Sequence, residues 1–236
     1  MVGSSPLITR KVVASMELFR GLALSAQQDV MAKARARRVL RNTRIFNQGD
    51  THAHAHVLIE GAVRISQSGR DGSQILMRLI APGEMFGTLA LFTDGRYPAD
   101  ADAMMDSLEA SWSEADLLKL MQRHPQIAIN ALKIIGKRLQ EAQNRIRELA
   151  RQPVEQRIAH VITRLTRQVG QKTEDGMEIL FPLRRKDIAD ISGTTLYSVS
   201  RILTAWEKAG WLSSHDQQLT IRKPHEIWRI TENGSE

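Results

Sequence analysis

The histidines of the stretch THAHAH are the residues whose type and spacing could do chemistry. His52, His54 and His56 alternate with small residues. Alternate residues of a β-strand share one face, so the three imidazoles could converge on a metal ion or a haem iron. An exposed strand edge would show the same pattern without binding anything. The favoured interpretation gives these histidines no ligand role and leaves the cofactor unknown, with haem or a metal as the alternative.

The same stretch offers an enzymatic alternative. His54, His56 and Glu60 follow a His-x-His-x3-Glu pattern, in which the chain resembles the cupin family of metal enzymes. That family has a companion histidine shortly after a Pro-x-Gly turn, and the residues after Pro82 and Gly83 do not supply it. We therefore expect no catalytic residues and no enzymatic activity.

A helix-turn-helix pattern occupies the stretch from Leu183 to Leu212. Apolar residues at helical spacing predict helices over 184–191 and 195–209, with Gly193 in the sharp turn between them. At about 1.5 Å per residue, the second helix can lie across a DNA major groove. A helical hairpin that binds nothing is the alternative. The residues predicted to contact DNA are Arg184, Lys186, Thr194, Thr195, Leu196, Tyr197, Ser198, Ser200 and Arg201.

Short elements are predicted on both sides of this pattern. Residues 211–212 and 219–221 flank a polar turn and predict a two-stranded wing. Upstream, a helix over 154–169 leads through a polar turn over 170–176 to a short strand at 177–181. The whole is predicted to be a winged helix-turn-helix domain.

Between Ile45 and Trp112 the pattern changes to short strands separated by Gly and Asp turns. Apolar runs at 57–59, 62–65 and 75–80 predict the walls of a small antiparallel roll. Such a roll encloses a cavity that could hold a ligand.

Together these blocks resemble the cyclic-AMP receptor protein and fumarate-nitrate regulator (CRP/FNR) superfamily of bacterial transcription factors. The resemblance covers nearly all of the chain and rests on residues 45–91, the long helix before Arg151, and the stretch from Val154 through the helix-turn-helix. It implies an α+β fold with an N-terminal antiparallel β-roll of the cyclic-nucleotide-binding jelly-roll type, a long dimerisation helix and a C-terminal winged helix-turn-helix. It also implies a homodimer that binds a palindromic operator in double-stranded DNA, with RNA polymerase as a further partner.

The resemblance assigns roles to single residues. In cyclic-nucleotide-binding relatives a Gly-Glu pair holds the ribose and an Arg-Ser or Arg-Thr pair neutralises the cyclic phosphate. The matching positions here read Gly87-Thr88 and Tyr97-Pro98, so both groups are missing. A buried phosphate without a paired cation is strongly disfavoured, so the small-molecule effector is predicted not to be cyclic AMP. The predicted effector pocket consists of Gly87, Thr88, Leu89, Arg96, Tyr97 and Pro98.

Two positions of the second helix are informative in the same way. Arg201 matches the arginine with which the family contacts a base, and Tyr197 replaces the Glu frequently found at its position. We therefore expect the preferred half-site to differ from that of the best-known members.

A helical pattern runs from Pro125 to about Ala150. Its apolar residues repeat with alternating spacings of four and three, a heptad seam typical of helices that pair. A single amphipathic helix packed on its own domain is the alternative. The residues predicted to form the dimer seam are Ala128, Leu132, Ile135, Leu139, Ala142, Ile146 and Leu149.

Composition bounds these interpretations. The 236 residues are 42% apolar, enough for one large or two modest cores, and include no Cys, which excludes disulfides and a cysteine-ligated iron–sulfur cluster. The net charge of +7 fits a protein with phosphate contacts on selected surfaces. The basic run from Lys33 to Arg38 is interpreted as a solvated helix face.

No apolar stretch approaches the ~20 residues of a membrane helix, so we expect a soluble, cytoplasmic protein with no membrane partner. The predicted division is a sensing domain with N-terminal helices over 1–123, a dimerisation helix and hinge over 124–152, and a DNA-binding domain over 153–236.

Overall fold

The structure is a computed structural model that describes residues 8–69 and 74–232. These residues form two compact units, and the division falls between Gln140 and Glu141. Each unit has its own apolar core and is described by itself below.

The first unit combines short helices with a β-roll. Its helices are α1 Arg10–Ser15, α2 Leu24–Lys33, α3 Glu114–Arg123 and α4 Pro125–Arg151, and the last turns of α4 belong to the second unit. Its strands are β1 Arg35–Val39, β2 Arg44–Phe46, β3 His54–Glu60, β4 Val63–Ser68, β5 Gln74–Ile80, β6 Met85–Phe86, β7 Asp100–Ala103 and β8 Ser107–Ser113. Within the described residues these strands form two antiparallel four-stranded sheets, ordered β1-β8-β3-β6 and β2-β7-β4-β5.

Side-chain alternation along β3 explains how the first sheet is buried on both faces. Ala55 and Val57 lie on one face and pack, with Trp112 of β8, in the cluster that includes the N-terminal helices. His56 lies on the opposite face, where its ring centroid is 5.3 Å from that of Phe46 in the second sheet. The first sheet therefore separates two apolar clusters, one under the helices and one inside the roll.

The interpretation of the basic run as a helix face is wrong. Helix α2 ends at Lys33, and the next residues form β1, which pairs with β8 in the register Arg35↔Ser111 and Arg37↔Glu109. Hydrogen bonding to β8 overrides the helical preference of alternating Ala and Arg. Because alternate residues share a face, Arg35 and Arg37 lie together on the side of the sheet that also carries His56.

The second unit is a three-helix arrangement with a small sheet and a final helix. Its elements after α4 are α5 Val154–Val169, β9 Gly170–Thr173, β10 Gly176–Ile179, α6 Arg185–Ser192, α7 Leu196–Lys208, β11 Leu212–His215, β12 Gln218–Ile221 and α8 Pro224–Glu232. The strands form one antiparallel sheet in the order β11-β12-β10-β9.

The sheet of the second unit is larger than the sequence predicts. Residues 170–173, expected in a polar turn, form β9, and the wing strand β12 pairs with β10 as well as with β11. Polar side chains on β9 concealed it, since that strand lies at the edge of the sheet and is largely exposed. Helix α8 was not anticipated.

Among the described helices, none combines the length and apolar character needed to cross a bilayer.

Candidate DNA-binding surface and sensor site

The turn between α6 and α7 has the geometry of a helix-turn-helix. Gly193 ends α6 in the left-handed region at φ 60°, where a side chain would also collide with Leu149. Thr195 then begins α7, since its Oγ1 accepts a hydrogen bond from the backbone N–H of Ser198 at 3.1 Å. The predicted glycine turn and threonine cap both have the expected local roles.

Helix α7 buries one face and exposes the other. Its buried residues are Val199, Ile202, Leu203 and Trp206. The indole N–H of Trp206 donates to Glu155 at 3.0 Å and so anchors α7 to α5. Leu196 and Tyr197 remain 51% and 77% exposed, which places two of the predicted DNA contacts on the accessible face.

Arg201 is free to bind a ligand. Its side chain is exposed and, among the described residues, makes no hydrogen bond or ion pair. Ser198 and Ser200 flank it, half-buried, and Thr194 is also half-buried. Because the guanidinium of Arg201 has no internal partner, no ion pair or hydrogen bond has to be broken before it binds the edge of a base.

The basic residues at the start of α6 are less available. Arg184 caps the helix and pairs with Asp187 at 2.9 Å; the hydrogen bond that its guanidinium donates to the Asp187 carboxylate raises the pKa of Arg184. Lys186 lies 3.1 Å from Asp190. Both predicted contacts therefore carry a neighbouring carboxylate that weakens their attraction for phosphate. Arg185, which lies between them, donates to Glu207 and ties α6 to α7.

The wing is a tight hairpin. Strands β11 and β12 are joined through Asp216 and Gln217, which have φ values of 48° and 67°. Two consecutive left-handed residues are the mark of a type I′ turn, whose twist suits an antiparallel pair.

In the roll, Tyr97, one of the predicted effector residues, is packed into the interior. It is 4% exposed, and its ring stacks on Phe46 with centroids 3.7 Å apart. Its hydroxyl accepts a hydrogen bond from the backbone N–H of His54 at 2.7 Å. Burial raises the pKa of Tyr97 above its ordinary value. At Gly87, a side chain would press against His56 and Tyr97, so the polypeptide is closely packed here.

The other predicted effector residues do not converge on Tyr97. Arg96 is exposed and reaches the carbonyl of Gly49 at 3.5 Å, and Leu89 and Pro98 are also exposed. Thr88 is turned instead toward α4, where its hydroxyl accepts from Arg138 at 3.3 Å. The one cation among the six residues thus lies at the surface.

Only two of the three histidines belong to the strand. His54 and His56 are alternate residues of β3, whereas His52 precedes β3 in the left-handed region at φ 62° and does not continue its alternation. His56 is engaged at both ring nitrogens: Nδ1 lies 2.7 Å from Glu109 Oε2 and Nε2 lies 3.1 Å from the Tyr97 hydroxyl. Among the described residues, no group of three His, Cys, Asp or Glu side chains could hold a metal ion.

Glu109 is the polar residue of this region that sequence reasoning missed. It is fully buried and pairs with both Arg37 and His56. Burial alone would raise the pKa of Glu109, but the hydrogen bond and charge of His56, together with those of Arg37, outweigh it and lower that pKa. The signal was a lone carboxylate within the otherwise small and apolar strand β8.

Helix α4 exposes its heptad seam. Ile127, Asn130 and Ala131 are its buried residues. A neighbouring face leaves large apolar side chains accessible: Leu132 69%, Ile135 45%, Leu139 60%, Ile146 66% and Leu149 43%. Ala128 is half-buried and Ala142 exposed.

Comparisons with known proteins identify the family. The model of the cyclic nucleotide-binding domain matches residues 36–124, and that of the Crp-like helix-turn-helix domain matches residues 156–230. A Thermus thermophilus protein named Cyclic AMP receptor protein is 30% identical over 193 residues, which are 82% of this chain and 86% of that one. The chain belongs to the CRP/FNR family.

Other CRP/FNR proteins agree. The nitrogen fixation regulation protein FixK of Azorhizobium caulinodans is 28% identical over 73% of this chain and 69% of its own. Among solved structures, FixK2 from Bradyrhizobium japonicum is 22% identical with a TM-score of 0.73, covering 84% of this chain and 96% of that one, and shows the same fold. The expected fold class is confirmed, and so is the prediction of a regulator that is not an enzyme, because these relatives are CRP/FNR-family transcription regulators.

Proposed function

We propose that this CRP/FNR regulator works as a homodimer that binds a palindromic operator and is gated by a signal other than cyclic AMP. The observation that carries the proposal is the seam of α4, where large apolar side chains at heptad spacing are left in solvent.

Pairing of two α4 helices accounts for that exposure. The helix already uses Ile127 and Ala131 for its own core, and Asn130 Nδ2 donates to the carbonyls of Leu18 and Arg20 at 2.9 Å, so its inner face is satisfied. A second copy would bury the remaining seam with gross apolar burial worth on the order of 10 kcal/mol before the costs of association. Among possible occupants, an identical helix is the one whose spacing matches this seam.

A two-fold dimer presents two copies of α7 to DNA. Half-sites then lie about 34 Å apart, one helical turn, and each α7 places Tyr197 and Arg201 in a major groove. Thr195, Leu196, Ser198 and Ser200 complete the predicted contact surface, with Arg184 and Lys186 nearer the phosphates. RNA polymerase is the expected further partner. The expected location of the protein is the cytoplasm, where a bacterial regulator binds the chromosome.

The roll supplies the signal. The cyclic phosphate of cyclic AMP would find Tyr97 and Pro98 where the Arg-Ser or Arg-Thr pair is needed, and Arg96 is exposed. Arg138 connects the roll to the dimer helix, since it donates from α4 to the Met85 carbonyl and to Thr88. A shift of the segment 85–88, from β6 to Thr88, would therefore move α4, and a change in helix pairing would alter the separation of the two α7 helices.

One experiment tests dimer and operator together. The purified full chain is sedimented at micromolar concentration, and duplexes that it retains from a random library at low salt are sequenced. We expect the mass of a dimer and a palindromic consensus with half-sites about one helical turn apart. A monomer that retains only non-palindromic sequences would overturn the proposal.

A further inference from the structure

The first unit contains a cavity of about 470 Å³ that opens at one end of the roll. It is lined by residues of β1, β2, β3 and β8 and by the segment before β3. Tyr97 is the one residue that it shares with the predicted effector pocket. Its volume lies in the range of small-molecule sites.

Two arginines face this cavity with donors to spare. The side chain of Arg35 makes no hydrogen bond or ion pair with any described residue. Arg37 gives Nε to Glu109 and Nη2 to the Ile45 carbonyl at 3.5 Å, which leaves Nη1 without a partner among the described residues. Both guanidiniums can therefore bind an oxyanion by charge-assisted hydrogen bonds.

The two carboxylates at or next to the cavity, those of Asp50 and Glu109, both have partners within the protein. Glu109 is fully buried and pairs with two lining residues, Arg37 and His56. Asp50 accepts from the backbone N–H and the side-chain amide of Asn47 at 2.8 and 3.0 Å. These hydrogen bonds lower the pKa of Asp50, so it stays ionised as a turn residue. The cavity thus carries two guanidiniums, of which that of Arg35 has no partner among the described residues, against the single ionised carboxylate of Asp50.

The remaining walls are partly apolar and offer imidazoles at the rim. Ile45 and Phe46 form one side, with Phe46 held flat against Tyr97. His52 and His54 lie at the opening. Among the described residues, they do not belong to any group of three His, Cys, Asp or Glu side chains that could hold a metal ion. An apolar wall beside unpaired guanidiniums suits an organic body that carries a charged oxygen group.

The geometry points to this cavity as a binding site for a small organic anion, a phosphate ester or a carboxylate, held by Arg35 and Arg37. That this ligand controls operator binding rests on the proposed function. The binding of the ligand does not, because every residue of the cavity belongs to the first unit.

Calorimetry on the purified full chain without DNA tests the site. The probes are phenyl phosphate, benzoate and the uncharged benzamide, which share a ring and differ in the oxygen group. The variants are Arg35→Ala, Arg35→Lys and Arg38→Ala. Arg38 is the matched control, since it lies on the same strand, is exposed and does not line the cavity. Arg37 is not substituted, because Glu109 would lose a partner.

We expect at least one anion to bind and benzamide to bind about tenfold more weakly or not at all. Arg35→Ala should raise the Kd of the anion about tenfold, Arg35→Lys less, and Arg38→Ala by no more than about twofold. Preference for phenyl phosphate identifies a phosphate ester, and preference for benzoate a carboxylate. The site would be overturned by any of three results: benzamide binds as tightly as the anions, the two alanine variants have equal effects, or neither anion binds. Each result counts against the site whatever the operator selection shows.

Discussion

His56 Nδ1 and Glu109 Oε2 lie 2.7 Å apart in the interior of the roll. Because a carboxylate accepts, the hydrogen between them belongs to Nδ1, and Nε2 is left to the Tyr97 hydroxyl. His56 is 5% exposed and Glu109 0%. The imidazole and the carboxylate are therefore both shielded from water. Their hydrogen bond joins β3 to β8 next to the cavity that Arg37 lines.

Loss of the Glu109 charge should destabilise the roll. In Glu109→Gln the amide keeps the volume but leaves Arg37 and His56 without their anion, and we expect a loss of about 1.5–3 kcal/mol in the free energy of unfolding. Urea unfolding of the roll measures it. Glu60→Gln, an exposed carboxylate at the end of β3, is the control and should change the stability little. Equal stabilities of the two variants would show that the buried pairing contributes nothing.

The same carboxylate makes stability depend on pH. Its pKa in the folded chain is lowered from the ordinary value of 4.5, so its stabilisation is complete above that pH and is lost as the pH falls through the lowered folded pKa. The difference in unfolding free energy between the wild-type protein and Glu109→Gln should therefore be constant near neutrality and shrink below about pH 4.5. A difference that grows toward acid pH contradicts this sign.

A charge on the exposed seam should separate the proposed dimer. Leu139 is 60% exposed, and Leu139→Glu would bring two carboxylates together between the helices. We expect the dimer Kd to rise about a hundredfold or more, which sedimentation at several concentrations measures. Gln140→Glu adds the same charge one position away on the exposed surface of α4 and should leave the association intact. Equal weakening by both would assign dimerisation to another surface.

Arg201→Ala should relax the sequence preference at one operator position. An arginine that binds guanine contributes about 1–3 kcal/mol of discrimination, and Arg201 has no internal partner to replace that role. Selection from a random library, compared with the wild-type consensus, measures the change. Arg229→Ala removes the same charge from α8, where Arg229 pairs with Glu226, and should preserve the consensus. An unaltered consensus in Arg201→Ala rejects the contact.

Cyclic AMP should not bind in the manner of a specific effector. Tyr97 and Pro98 stand where the Arg-Ser or Arg-Thr pair is expected, so the required cation is missing, and the Tyr97 side chain is buried. Calorimetry should show cyclic AMP binding no more tightly than 5′-AMP, with any weak binding removed by Arg35→Ala at the cavity. Micromolar binding of cyclic AMP that survives Arg35→Ala would restore it as the effector.

Local patterns predicted much of the DNA-binding unit. Helix α5 spans the predicted 154–169, Gly193 occupies the left-handed turn that the lack of a side chain allows, and Thr195 occupies the cap that its hydroxyl favours. These features depend on neighbours within a few residues, so sequence periodicity is enough to find them. The three-part division into 1–123, 124–152 and 153–236 stays a prediction.

The roll was harder to predict because its strands depend on distant partners. The run around Arg37 has no strand signal of its own and becomes β1 by pairing with β8, so a helix was expected. His52 departs from the alternation by one left-handed residue. Such departures are set by tertiary packing, which overrides local preference.

The sequence by itself determined the helix-turn-helix and the heptad spacing, and it predicted that the groups which hold cyclic AMP in relatives are missing, since each is a matter of residue type at short spacing. Only the tertiary structure decided that Tyr97 turns inward, that Arg96 turns outward, and that His56 meets Glu109 across 53 residues of chain. The reason is physical: burial and hydrogen-bond partners are properties of segments brought together by folding, and no short window of sequence contains both members of such a pair.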